Sequence, residues 1–346
     1  MRVLLTGHEG YLGAVVARVL REAGHEVVGL DTGYFVGCDL GPASEAVDTV
    51  AVDVRDVAPA QLEGIDAVVH LAGLSNDPLG SLAPELTHAI NVNGSARLAT
   101  AARDAGVRRF VFSSSCSIYG ASGADDLVGE LAPLRPVTPY AESKVVVEEL
   151  LHDLSRDDFC TVSLRNATVY GYSPRLRTDL VVNDLVATAL LEGRVRVLSD
   201  GTPWRPVVHA EDLARVVRGT LEAPVPAVNG EAINVGRSEA NHQVRDLAEI
   251  VGGELGVRIE ITGERGPDPR SYRVDFSKLE TLLPDVVLTW DVAAGVRELA
   301  DAYRAFGLTL DSSRSVFNRV ARLTELREVG ALDADLRWSD RHAVRR

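Results

Sequence analysis

Tyr140-Ala141-Glu142-Ser143-Lys144 sets a phenol and an ammonium four residues apart, so both emerge on one face of a helix. Thr138 suits that helix as its N-cap, and Pro139 suits its first turn. A free phenol titrates near 10, so a tyrosine working as a base near pH 7 must gain about 4 kcal/mol. One cation ~4 Å away at an effective dielectric near 20 supplies energy of that order. Upstream, Ser115 lies in Phe112-Ser113-Ser114-Ser115-Cys116-Ser117-Ile118-Tyr119-Gly120, a run of hydroxyls leaving an apolar strand. A hydroxyl there can steady an oxygen on which charge develops. Each pattern alone is common. Together, in this order, the three groups could move a proton to and from a hydroxyl.

Such chemistry needs an acceptor for the hydride that leaves with the proton, and the N-terminus has the features of a site for one. Thr6-Gly7-His8-Glu9-Gly10-Tyr11-Leu12-Gly13 follows an apolar strand and opens a helix. Gly7, Gly10 and Gly13 allow a tight turn, close approach of a pyrophosphate and helix-on-strand packing. The helix start, with Tyr11 and Leu12, offers free N–H groups to phosphate. Asp31 ends the second strand, one helix beyond Gly13, where a carboxylate accepts from ribose hydroxyls and repels a 2′-phosphate. No Arg or Lys occurs between positions 32 and 42, so the pattern predicts NAD rather than NADP. Asp53 and Val54 close the expected third strand, beside the adenine.

The elements that must hold these groups alternate along the first half. Apolar, β-branched runs at 2–6, 26–30, 50–54, 67–71 and 109–113 are interleaved with helical spacing at 14–23, 84–105 and 139–154, and a further strand follows at 161–164. Continuous apolar strands between helices predict a parallel sheet covered on both faces. The expected division is a dinucleotide-binding domain over 1–167, a smaller substrate-binding lobe over 168–310 interleaved with the last sheet elements, and a C-terminal appendage over 311–346. With 346 residues and 46% apolar composition the chain can bury a sizeable core, which excludes a disordered or fibrous protein. A formal net charge of −14 argues against nucleic acid and anionic membranes as partners. Cys38, Cys116 and Cys160 have no metal-ligand spacing and read as free thiols of a reducing cytoplasm, and no metal site is expected. No apolar run reaches transmembrane length, and the first residues do not read as a signal peptide.

With these blocks in view, and with His70-Leu71-Ala72-Gly73, Asn91-Val92-Asn93-Gly94, the stretch 164–171 and the stretch 204–214, the sequence resembles the extended short-chain dehydrogenase/reductase family over about residues 1–310. The likeness is to its nucleotide-sugar epimerases, of the UDP-galactose 4-epimerase type. The resemblance implies an α/β Rossmann-type doubly wound parallel sheet with a smaller C-terminal substrate-binding lobe. It implies Tyr140 as general base and acid, Lys144 holding the ribose and lowering the tyrosine pKa, and Ser115 bonding the reacting oxygen. Leu71, Ala72, Gly73, Ser75, Asn91, Ser113 and Asn166 fall among the cofactor positions, and Ser115, Thr168, Asn183, Arg205, Arg265 and Asp268 among those for a nucleotide-diphosphate sugar. A homodimer through helices near 84–105 and 139–154 is implied in the same way.

Within that family the 4,6-dehydratases resemble one another in a Thr-Asp-Glu at this strand end, whose acids expel water. This chain has Ser115-Cys116-Ser117 there, which points to 4-epimerisation through a transient keto sugar. A reductase, dehydrogenase, decarboxylase or atypical dehydratase on the same scaffold is the alternative, and a non-catalytic NAD sensor a more distant one. Cys116 reads as a small residue packed behind the site rather than a thiol catalyst. The loop from Leu74 to Leu79 departs from the epimerases, which carry a lysine at the Ser75 position, and Asp77 reads as a turn former. Thr168 replaces an asparagine common in relatives. Arg165, Arg175, Arg177, Arg194, Arg196 and Arg205 crowd into the single stretch 165–205 of an otherwise acidic chain, a supply of guanidiniums for a diphosphate. His70 and His209 read as packing and loop-bonding residues.

Overall fold

The computed structural model describes residues 1–43, 45–75, 84–121, 127–263 and 270–339. Its strands run β1 (Arg2–Thr6), β2 (Glu26–Asp31), β3 (Asp48–Ala51), β4 (Ala67–His70), β5 (Arg109–Ser115), β6 (Leu127–Val128), β7 (Cys160–Asn166), β8 (Thr168–Tyr170), β9 (Arg194–Val197), β10 (Trp204–His209), β11 (Glu231–Val235), β12 (Asn241–Gln243), β13 (Arg258–Ile261) and β14 (Arg273–Val274). Seven of them form one sheet in the order β11-β7-β5-β4-β1-β2-β3, every pair parallel. The reason is in the sequence: Val3, Leu4, Leu5, Val68 and Val69 are fully buried, and strands apolar on both sides need cover on both faces. The order reverses between β1 and β4, and the carboxyl ends of strands at such a point frame a crevice.

The helix Tyr11–Glu22 packs with Ala210–Glu222 on one face through Val16, Leu20, Leu213 and Val217. The helices Ser95–Asp104 and Pro139–Leu154 cover the other through Leu98, Ala102, Val147 and Leu151. A second core joins the helices Val181–Glu192, Val244–Leu255 and Val292–Ala305 to β9. This smaller lobe sends β11 back into the main sheet beside β7.

Two expectations need correction. The helix expected over 84–105 is broken into a short turn, Pro84–Thr87, a π-helical stretch His88–Gly94 and the helix Ser95–Asp104. The wide π turn lets the buried Asn91 side chain bond both the N–H (2.8 Å) and the carbonyl (3.0 Å) of Leu74. The stretch 311–346 is no appendage over its described part. Leu323, Leu326, Leu332 and Leu336 of this stretch are buried in the same core as Leu98 and Val54, and the Tyr34 hydroxyl donates to the Leu336 carbonyl. The physical reason is an amphipathic helix, Arg319–Glu328, capped by Asn318, with an apolar stripe that only the sheet domain can cover.

Candidate active site

One cavity of about 1330 Å³ runs over the carboxyl ends of β1, β2, β4 and β5 into the smaller lobe. This is larger than the roughly 300–1,000 Å³ of a single small-molecule site, and so has room for two ligands side by side.

At one end stands the glycine loop. Gly7 has φ +75°, and its N–H donates to the Leu30 carbonyl (2.8 Å). A Cβ on Gly7 would meet Ala72 N at 2.8 Å, and one on Gly13 would meet Gly7 O at 2.1 Å, so both positions need glycine. Asp31 lines the cavity and accepts from the N–H of Glu9 (3.0 Å) and of Gly33 (2.7 Å). Burial pushes its carboxyl up, and those two N–H groups oppose the shift. Gly10, Leu12, Leu71, Ala72, Gly73 and Val54 also line this end. Tyr11 lines it too, but its hydroxyl is spent on the Gly171 carbonyl (2.7 Å), tying the glycine-loop helix to the smaller lobe. This cradle, a free helix start beside a half-buried carboxylate, fits a dinucleotide.

In the middle lie the three groups singled out from the sequence. Thr138 caps the helix that carries Tyr140, accepting from Ala141 N (3.2 Å). Lys144 is buried, donates to the Ser113 carbonyl (2.6 Å), and lies 5.4 Å from the Tyr140 ring centre. Burial pushes its ammonium down to about 8, against the pull of Glu148. Glu148 bonds Arg165 (2.7 Å) and accepts from Ser114, so this helix is stitched to β5 and β7 behind the site. Ser115 accepts from Ser117 N (3.1 Å) as the cap of a short turn. Ser113, Ser115, Tyr140, Lys144, Asn166 and Thr168 all line the cavity, and Asn166 donates to Ser113 Oγ (2.8 Å). Cys116 is fully buried off the cavity, its thiol donating to the Arg165 carbonyl (3.1 Å) and pushed up by burial.

Not every expected residue lies on the cavity. Asn91 sits behind it, bracing Leu74. Asn183 is fully buried and holds the backbone of Gly171 (3.1 Å) and Arg177 (2.9 Å), so its side chain shapes the second lobe instead of facing a substrate. Asp53 lines the cavity but pairs with Arg55 (2.7 Å) as the cap of a short turn beyond β3. Arg265, Asp268 and Asp77 lie outside the described residues. Of the six clustered arginines, Arg177 and Arg205 line the cavity. Arg165 faces Glu148, Arg175 faces Glu9 and Asp39, and Arg194 faces Glu260. His70 bridges Thr6 (2.7 Å) and Ser95 (2.8 Å), burial pushing it down to about 3, and His209 stacks on Trp290 at 3.9 Å. Arg177, paired with Asp179 (2.9 Å) and donating to Ser75 (3.1 Å), was one guanidinium among six in the sequence, with nothing to set it apart.

Residues 3–236 match the model of the NAD dependent epimerase/dehydratase family. The chain belongs to that family. It is an enzyme, and its cofactor is NAD. A UDP-glucose 4-epimerase of Mycolicibacterium smegmatis is 31% identical over 311 residues, 86% of this chain and 97% of that one. MoeE5, solved in complex with UDP-glucose and NAD, superposes with a TM-score of 0.75 at 26% identity over 88% of this chain and 99% of its own. DesIV, a dTDP-glucose 4,6-dehydratase from Streptomyces venezuelae solved with NAD and TYD bound, gives 0.77 at 26% identity over 90% of this chain and all of its own. Among the described residues no helix is long and apolar enough to cross a membrane.

Proposed function

We propose that this family member is an epimerase of a nucleotide-diphosphate sugar, acting at C4 through a transient 4-keto sugar with its hydride retained. The observation that carries the reading is the end of β5. The dehydratases of the family resemble one another in acids at this position; this chain has Ser115-Cys116-Ser117, with Cys116 shut away on the Arg165 carbonyl. No side chain of that trio is an acid that could drive water from the sugar ring. Similarity to a UDP-glucose 4-epimerase along 97% of its length supports the same reading.

NAD, when bound, takes up a hydride and returns it. Tyr140 then has one task, removing the proton of the C4 hydroxyl and giving it back. Lys144, a cation below about pH 8, holds the phenolate form down in energy from the next turn of the same helix. Ser115 donates to the oxygen as it becomes a carbonyl. Asp31 takes the adenosine ribose, and Leu71, Ala72, Gly73, Ser113 and Asn166 line the rest of the cofactor's path. Arg205, bonded to the carbonyls of Trp204 (2.8 Å) and Arg270 on the far wall, meets the sugar nucleotide's diphosphate, with Thr168 nearer the sugar. A homodimer through the segments near 84–105 and 139–154 belongs to the same proposal, and light scattering would test it.

The experiment is incubation of the enzyme and NAD with a panel of nucleotide sugars, read by mass spectrometry and proton NMR. The expected product has unchanged mass, new ring couplings and no accumulated NADH. A product lighter by water, carbon dioxide or hydrogen would overturn the epimerase reading in favour of the other chemistries of this scaffold.

A further inference from the structure

Arg319 lines the cavity, yet it belongs to the C-terminal stretch, well past residue 236 where the match to the family model ends. It is 2% exposed, and its Nη1 has no hydrogen-bond partner among the described residues. A buried guanidinium with an unbonded N–H is costly unless a ligand meets it. Its other terminal nitrogen, Nη2, donates to the Arg175 carbonyl (3.1 Å), and its guanidinium lies 3.9 Å from the centre of the Phe35 ring. Asp179, the carboxylate that acts on it electrostatically, is bonded to Arg177.

Both anchors of Arg319 belong to the dinucleotide end. Phe35 follows one short turn after Asp31, and Arg175 grips Glu9 inside the glycine loop. The segment carrying Arg319 also lines the cavity through Asn318, Val320, Ala321 and Leu323, and Trp338 near its end donates to the Thr32 carbonyl (2.8 Å) beside Asp31. We propose that Arg319 is a cofactor-anchoring residue whose Nη1 donates to a phosphate oxygen of the bound dinucleotide, and that residues 318–338 form a clasp closing the outer wall of the cofactor site. A diphosphate is also present in the sugar nucleotide, so the two sources must be separated by the test. The inference rests on the cofactor and not on the epimerase reading.

The test uses the full chain stripped of nucleotide. NAD and, separately, UDP are titrated calorimetrically into the wild type, Arg319→Met and Arg319→Lys. Losing one charged hydrogen bond predicts NAD binding weaker by about ten- to a hundredfold in Arg319→Met, part of it recovered by lysine, with UDP binding within about twofold. In the wild type, NAD but not UDP should slow amide exchange across residues 319–328. NAD affinity unchanged in Arg319→Met, or a loss confined to UDP or shared equally by it, would overturn the proposal. If the methionine variant does not fold, the exchange measurement decides alone: no protection of 319–328 by NAD overturns it.

Discussion

In the proposed mechanism Tyr140 and Lys144 act as one unit, and their variants should separate chemistry from binding. Tyr140→Phe keeps the ring and the helix, so we expect kcat to fall at least about a thousandfold while NAD affinity, measured by calorimetry, stays within a few-fold. Survival of turnover would remove the tyrosine from the proposed role. The pH dependence has a definite sign. Burial lowers Lys144 from an ordinary 10.5 to about 8, so its ammonium is complete at pH 7 and is withdrawn as pH rises through about 8. Turnover should therefore decline on the alkaline side from about pH 8. The same lowered pKa means that folding carries an unfavourable contribution from Lys144 that is full below pH 8 and relieved between about pH 8 and 10.5. Lys144→Met should remove both that stability gain and the alkaline limb of the rate profile.

At the scale of elements, the helix Pro139–Leu154 is held from behind by an ion pair. Glu148 and Arg165 are both buried, and Glu148 also accepts from Ser114 on β5. Removing one partner leaves the other charge buried alone, so Glu148→Gln should lower stability by about 3 kcal/mol, read from denaturant midpoints. A loss well below about 1 kcal/mol would mean that this pair does not brace the site. The glycine loop is held by steric exclusion instead of charge. Gly13→Ala puts a methyl 2.1 Å from Gly7 O and 2.5 Å from His8 Cα. The loop must move, and we expect NAD affinity to fall by about a hundredfold or more, with the sheet intact by circular dichroism.

For the whole molecule, the C-terminal residues fold as part of the sheet domain. Leu326 is 6% exposed and belongs to the core of Leu98, Val147 and Val54. Leu326→Ala should destabilise the entire chain by about 3 kcal/mol, in one unfolding transition followed by both far-ultraviolet dichroism and tryptophan fluorescence. An early separate transition, with the sheet melting as in the wild type, would show that the segment is only loosely attached. A frayed appendage would give no shift at all.

Local order carried much of this reading. The glycine spacing, Asp31, the hydroxyl run after β5 and the Tyr140–Lys144 step are contiguous patterns that backbone geometry alone makes meaningful, and the alternation of apolar runs dictates a parallel sheet. Their meeting in one cavity follows from the strand order. The arginines were different. Six stood in one stretch, and only the packing decided that Arg165 braces a helix, Arg175 grips the glycine loop and Arg205 faces the cavity. Asn183 and Asn91 were likewise turned inward by backbone groups of Gly171, Arg177 and Leu74. The position of Arg319 rests on contacts made across most of the length of the chain, from the C-terminal helix back to Phe35. Periodicity and spacing determine which elements form and which groups share a face. Which charge meets which partner is a matter of long-range packing, because a guanidinium takes the nearest acceptor in space, whatever its distance along the chain.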